Sequence, residues 1–147
     1  MHKQRYIQFI KLPEIPQTIV DSIPRDVNAY TRKLSYGGTY NWSDEFNTEI
    51  DRWGKENICQ DMYFALQIMT GDVSKHKDTG TKTKFIYLLQ SGGEKVYTRF
   101  WSDDCRTLLG EYLIPCNQWH IFKADSVHSV EGVEPGSIRW SIAGKIF

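Results

Sequence analysis

From about residue 61 onward the chain is a series of short runs rich in aromatic and β-branched residues. They span Met62 to Met69, Lys84 to Gln90, Lys95 to Trp101, Thr107 to Leu113, Gln118 to Phe122 and Ile138 to Phe147. Turn formers separate them: Gly71-Asp72, Thr79-Gly80, Ser91-Gly92-Gly93, Asp103-Asp104 and Pro135-Gly136. Many short strands with frequent turns predict an all-β sandwich or barrel. Before residue 61 the pattern changes. Leu12-Pro13-Glu14-Ile15-Pro16 is punctuated by two prolines, and Thr18 to Ile23 suits one or two helical turns that Pro24 stops. The glycines of Tyr36-Gly37-Gly38-Thr39 mark a turn, and Tyr36 to Trp42 reads as a surface turn or a lid. Ser43 followed by Asp44 and Glu45 resembles a helix start, with Phe46, Ile50 and Trp53 at helical spacing behind it. Helices ahead of such a strand set predict a mainly β fold, a jelly roll with a small N-terminal helical support.

No repeat or low-complexity segment divides the chain, and 147 residues suit a single domain. The expected division is a support over about 1–60 and a barrel core over about 61–147. With 40% hydrophobic and 14% aromatic residues, the chain has enough apolar material to bury a core. Eighteen basic residues balance eighteen acidic ones, so net charge supplies no argument for a nucleic-acid or membrane partner. The N-terminal segment lacks the apolar stretch of a secretory signal, and no run approaches bilayer-spanning length. Cys59, Cys105 and Cys116 are odd in number and widely spaced, which suits neither a disulfide framework nor a C-x-x-C zinc site. A cytoplasmic location is the simplest expectation.

Two short patterns carry candidate chemistry. The first is His76-Lys77-Asp78. Residues i and i+2 of a strand share a face, so an imidazole and a carboxylate can converge while Lys77 looks away. His128 follows fifty-two residues later. If a later strand brings it alongside, two histidines and one carboxylate form a facial set that suits non-haem Fe(II) and leaves positions open. Taken alone, H-x-D fits an exposed turn equally well. The second pattern is Arg139-Trp140-Ser141, eleven residues beyond His128. A guanidinium and a hydroxyl there share a face, and arginine grips a planar carboxylate through two parallel N–H bonds. Taken alone, it also fits an ordinary surface salt bridge.

In order, H-x-D, a long gap, His and then R-x-S near the C-terminus resemble the Fe(II)- and 2-oxoglutarate-dependent oxygenase family, and within it the prolyl-hydroxylase-like branch. Gly71 to Asp78 is similar to the glycine turn leading into that branch's metal strand. Lys84 to Gln90 followed by Gly92-Gly93-Glu94 is similar to its hydrophobic strand and turn, and His128-Ser129-Val130 through Ile142 to its closing strands. The resemblance covers roughly residues 62–147. It implies a double-stranded β-helix, a cupin-like barrel, with Fe(II) on His76, Asp78 and His128. It implies 2-oxoglutarate as cosubstrate, its far carboxylate on Arg139 with help from Ser141. Dioxygen would be the oxidant and ascorbate a candidate further cofactor. The substrate would be a protein side chain such as proline, or a small molecule. Two tyrosines frequent in relatives are missing: Met69-Thr70 stands before the glycine turn, and Leu88 stands near the strand end, with Tyr87 on the opposite face. Lys84 or Tyr63 could take over their role.

Among the remaining residues, His120 reads as structural or exposed and His2 as part of a leader. Trp42, Trp53, Trp101, Trp119 and Trp140 read first as packing residues. Arg99 and Trp101 share a face of the strand after the Gly-Gly-Glu turn, which makes them candidate substrate contacts. Two other functions fit a jelly roll: a cupin-like metal or ligand binder without oxygenase activity, and a barrel without metal that binds carbohydrate or a protein.

Overall fold

The computed structural model of the chain describes residues 6–26 and 41–146. The turn expected at Tyr36 to Thr39, most of the segment from Tyr36 to Trp42, and His2 lie outside the described residues.

Two antiparallel sheets face each other. The larger has six strands. These are β1 (Ile7–Phe9), β2 (Trp42–Phe46), β3 (Tyr63–Met69), β5 (Thr83–Gln90), β8 (Trp119–Lys123) and β10 (Arg139–Lys145), in the order β1-β8-β5-β10-β3-β2. The smaller holds β4 (Val73–His76), β6 (Tyr97–Trp101), β7 (Leu108–Leu113) and β9 (Val127–Glu131), in the order β4-β9-β6-β7. From β3 to β10 every connection crosses from one sheet to the other except the β6–β7 hairpin. That winding is the jelly roll, a double-stranded β-helix, as the strand spacing predicts. Among the described residues no helix is long and apolar enough to cross a membrane.

Among the described residues two helices, α1 (Gln17–Ser22) and α2 (Thr48–Asn57), belong to the support. The second begins later than the sequence predicts. Trp42 to Phe46 is not its first turn but a strand paired with β3, from Trp42 opposite Met69 to Phe46 opposite Ala65. The cap is Asn47, whose side chain accepts the N–H of Ile50. Capping chemistry at Ser43 lost to an unpaired edge of β3 that needed hydrogen-bond partners.

The outer face of the larger sheet is apolar. Phe64, Leu66, Ile68, Tyr87, Trp119, Trp140 and Ile142 pack there with Ile50 of α2. Gly54 of α2 and Gly144 of β10 bracket the Phe64 ring, and a Cβ on either would sit 2.2 Å and 2.5 Å from ring carbons. Asp51 ties helix to sheet by accepting the N–H of Phe64 at 2.9 Å. With this covering on its outside, the larger sheet can present a polar stripe on its inside. Arg139, Ser141 and Lys145 of β10, Lys84 of β5 and His120 of β8 all face the space between the sheets.

Candidate metal centre

The first ligand strand is irregular. In β4, Val73 pairs with Val130 and His76 with His128, with a register shift between them. A regular strand would put residues three apart on opposite faces; the shift lets both Val73 and His76 line the interior. The strand ends at His76. Asp78 lies just beyond it, and its N–H continues the pairing by donating to Ala124 O at 3.0 Å. His128 arrives from β9 beside β4.

These three side chains meet. Asp78 Oδ1 lies 3.2 Å from His76 Nε2 and 3.3 Å from His128 Nε2. One ligand atom from each residue fits within a 4.8 Å cluster. The state of the rings follows from their other nitrogens. His76 Nδ1 is 2.7 Å from Ser74 O, and His128 Nδ1 is 2.7 Å from Ser126 O. A carbonyl oxygen only accepts, so each Nδ1 carries a hydrogen, which leaves Nε2 as the nitrogen of each ring that faces Asp78 and can ligate a metal. In the metal-free protein a proton between the His76 imidazole and Asp78 holds the cluster together, and a cation can take its place. Donors about 2.1 Å from one ion and at right angles lie about 3 Å apart, so the spacing fits a small divalent metal. Nitrogen and oxygen donors in a two-to-one set suit iron among the common ions.

Charge at the centre is balanced from outside. Burial alone would raise the Asp78 carboxyl. Hydrogen bonds from His128 and His76 and the Lys84 ammonium outweigh it and hold the group well below the usual carboxylate range. Lys84, itself buried, pairs with Asp78 Oδ2. The His76 imidazole is raised, chiefly by its hydrogen bond to Asp78.

A cavity of about 310 Å³ extends from the centre into the barrel. Ile86, Leu88, Phe122 and Val130 form its apolar wall. Arg139 lines it with 5% of its surface exposed. Its Nη1 donates to Ser91 O at 3.0 Å, and it forms no ion pair among the described residues. Burial pushes its pKa down to about 10, which leaves it charged at neutral pH. The Gly-Gly turn permits this placement: Gly92 has a φ of +84°, and a Cβ on it would come 3.1 Å from Arg139 N. Ser141 faces the same cavity, its hydroxyl donating to Gln67 Oε1 at 3.2 Å.

Two expected contacts are elsewhere. Arg99 and Trp101 alternate with Phe100, which is fully buried inside the barrel, so they point out from the smaller sheet. Arg99 pairs with Glu111 and Glu131, and Trp101 donates to Ser129 Oγ beneath the Lys75 ammonium. Of the two helpers named for the missing tyrosines, Lys84 lines the cavity, whereas Tyr63, at the start of β3, is exposed and does not line it. His120, expected to be structural or exposed, lines the cavity with only 2% of its surface exposed. Its two-residue spacing from Phe122 on β8 was the available signal.

No known family profile matches the chain, and no curated protein matches it. Among solved structures it is similar to the hydroxypropylphosphonic acid epoxidase from S. wedmorenis in complex with fosfomycin. That match has 10% identity, a TM-score of 0.44, and covers 58% of this chain and 44% of that one. A cupin-2 domain containing protein from Shewanella frigidimarina matches at 11% identity and a TM-score of 0.43, over 72% of this chain and 82% of that one. Peruvianin-I, a cysteine peptidase from Thevetia peruviana latex, matches at 8% identity and a TM-score of 0.47, over 85% and 75%. The chain thus spans less than half the length of the epoxidase. The strand order, not these likenesses, establishes the jelly roll.

Proposed function

We propose that the protein is an Fe(II)- and 2-oxoglutarate-dependent dioxygenase that hydroxylates a protein side chain, such as proline, or a small molecule. His76, Asp78 and His128 hold the iron, and Arg139 pairs with the far carboxylate of 2-oxoglutarate beside Ser141. Fe(II) bound there supplies dioxygen activation coupled to oxidative decarboxylation of the cosubstrate, with succinate and carbon dioxide released.

Arg139 is the observation that carries this reading. A buried cation without a counter-ion is costly by several kcal/mol. The fold keeps Arg139, with no ion pair among the described residues, on the wall of the cavity that also holds the convergent triad. A diacid that reaches the metal with one end and the guanidinium with the other removes that cost. The cavity's volume lies at the lower end of small-molecule sites, in keeping with a short diacid. Its apolar wall lowers the local polarity, which strengthens the Arg139–carboxylate pair. The two imidazole–carbonyl bonds keep both rings aimed, so the ligand set is held before metal arrives.

The test is succinate release with Fe(II) and 2-oxoglutarate across peptide, amino-acid and nucleobase panels, including slow uncoupled turnover without substrate. His128→Ala should abolish it. Metal binding at the triad without any affinity for 2-oxoglutarate would instead favour a cupin-like metal binder that is not an oxygenase.

A further inference from the structure

A carboxylate in the cavity takes hydrogen-bond donors. Arg139 supplies some of them. Ser141 does not, because its one hydroxyl hydrogen goes to Gln67 Oε1, leaving lone pairs toward the cavity. Leu88, opposite Ser141 in the β5–β10 pairing, has no polar atom. The next strand holds a group that can fill the gap. His120 on β8 pairs with Ile86, which places it diagonal to Leu88 on the same face. Its Nδ1 is sealed from solvent and has no hydrogen-bond partner among the described residues. The ring lies against two tilted aromatic rings, Phe9 and Phe122. Burial first, and the Arg139 charge second, push its pKa down to about 4. The ring is therefore neutral at pH 7, with one nitrogen a donor and the other an acceptor. A buried imidazole nitrogen left without a partner is destabilising.

We infer that His120 is the second anchor of the diacid cosubstrate, donating a hydrogen bond to the same carboxylate that Arg139 pairs with. This rests on the oxygenase reading above. His120 is a binding residue for the far end of the cosubstrate and takes no part in holding the metal. It gives the buried ring, which lines the same cavity as Arg139, a hydrogen-bond partner in the ligand.

The experiment compares two keto acids on the Mn(II)-loaded protein by calorimetry. 2-Oxoglutarate has the far carboxylate and pyruvate does not. His120→Leu should lose about tenfold or more in 2-oxoglutarate affinity, the worth of a hydrogen bond to a charged acceptor. Its affinities for pyruvate and for Mn(II) should stay unchanged, and His120→Gln should recover part of the loss. Equal loss for both keto acids, or none for either, overturns the role of His120 and leaves the oxygenase reading intact. If the parent protein with Mn(II) binds no 2-oxoglutarate, that reading falls and this inference with it. A measurement without variants guards against misfolding. In the Zn(II)-loaded parent, 2-oxoglutarate should shift the His120 ring resonances in the NMR spectrum and pyruvate should not. Identical responses to the two acids also overturn the inference.

Discussion

The ammonium of Lys84 holds Asp78 Oδ2, while Asp78 Oδ1 faces the imidazoles of His76 and His128. One carboxylate is thus divided between a fixed cation and the metal position. Lys84 is buried and reaches Asp78 from the start of β5. The pairing favours a single oxygen toward the metal and keeps further positions free for ligands. Lys84→Met removes the outer partner and frees Asp78 to turn. Mn(II) affinity, followed by EPR titration, should fall about tenfold, the scale of lost outer-shell support. An affinity equal to that of the parent would show that Lys84 does not position Asp78.

Arg139 opposes stability to binding. As a buried cation with no ion pair among the described residues it destabilises the metal-free fold, and as a diacid anchor it contributes affinity. Arg139→Met should therefore raise the melting temperature of the metal-free protein while removing the extra stabilisation that 2-oxoglutarate brings to the Mn(II) form. Arg139→Ala should weaken 2-oxoglutarate about a hundredfold or more and leave Mn(II) affinity in place. Undiminished 2-oxoglutarate affinity in both variants would rule out the anchoring role.

The pH dependence of the metal-free protein has two signs. Asp78 has a folded pKa below its unfolded value, so its contribution is present above about pH 4 and is lost as pH falls toward the folded value. His76 has a folded pKa above its unfolded value. Its contribution is full below about pH 6.5 and is lost as pH rises through the folded value. Stability of the metal-free form should thus be greatest between roughly pH 4 and 6.5 as far as this pair is concerned. Mn(II) competes with the proton for the same lone pairs, so the loaded protein should have its optimum at higher pH. Thermal melts against pH with chelator and with Mn(II) give the comparison. An Asp78→Asn variant with an unchanged profile would remove the pair as its source.

The support is coupled to the barrel through Phe64. Its ring fills the space between Gly54 of α2 and Gly144 of β10, where no Cβ fits. Gly54→Ala and Gly144→Ala should each destabilise the fold by about 1–3 kcal/mol through overpacking, read by denaturant melts. Combined with Phe64→Leu, which opens room at the ring, each penalty should shrink. Full additivity would mean that the glycines act through something other than this contact.

The core strands were legible because their signals are local. Alternation and turn residues located β3, β5, β6, β7, β8 and β10 to within a residue or two at most ends. The two-residue spacing correctly put Arg139 and Ser141 on one face. The edge strand β2 was not legible. Ser43-Asp44-Glu45 has the chemistry of a helix start, and only the open edge of β3 decides against it. The register shift in β4 was likewise invisible, since it follows from pairing with β9 and not from any residue in β4.

By itself the sequence determined which residues could share a strand face and which of them carry donors, acceptors and charge, because both depend on chain spacing and side-chain chemistry alone. Which face looks inward was decided by the tertiary structure. The helices cover the apolar side of the larger sheet, so its polar stripe of Arg139, Ser141, Lys84 and His120 turns to the interior. The same packing turns Arg99 and Trp101 outward, because Phe100 between them fills the barrel. Burial of apolar area supplies most of the free energy of folding, and the polar groups take the places it leaves.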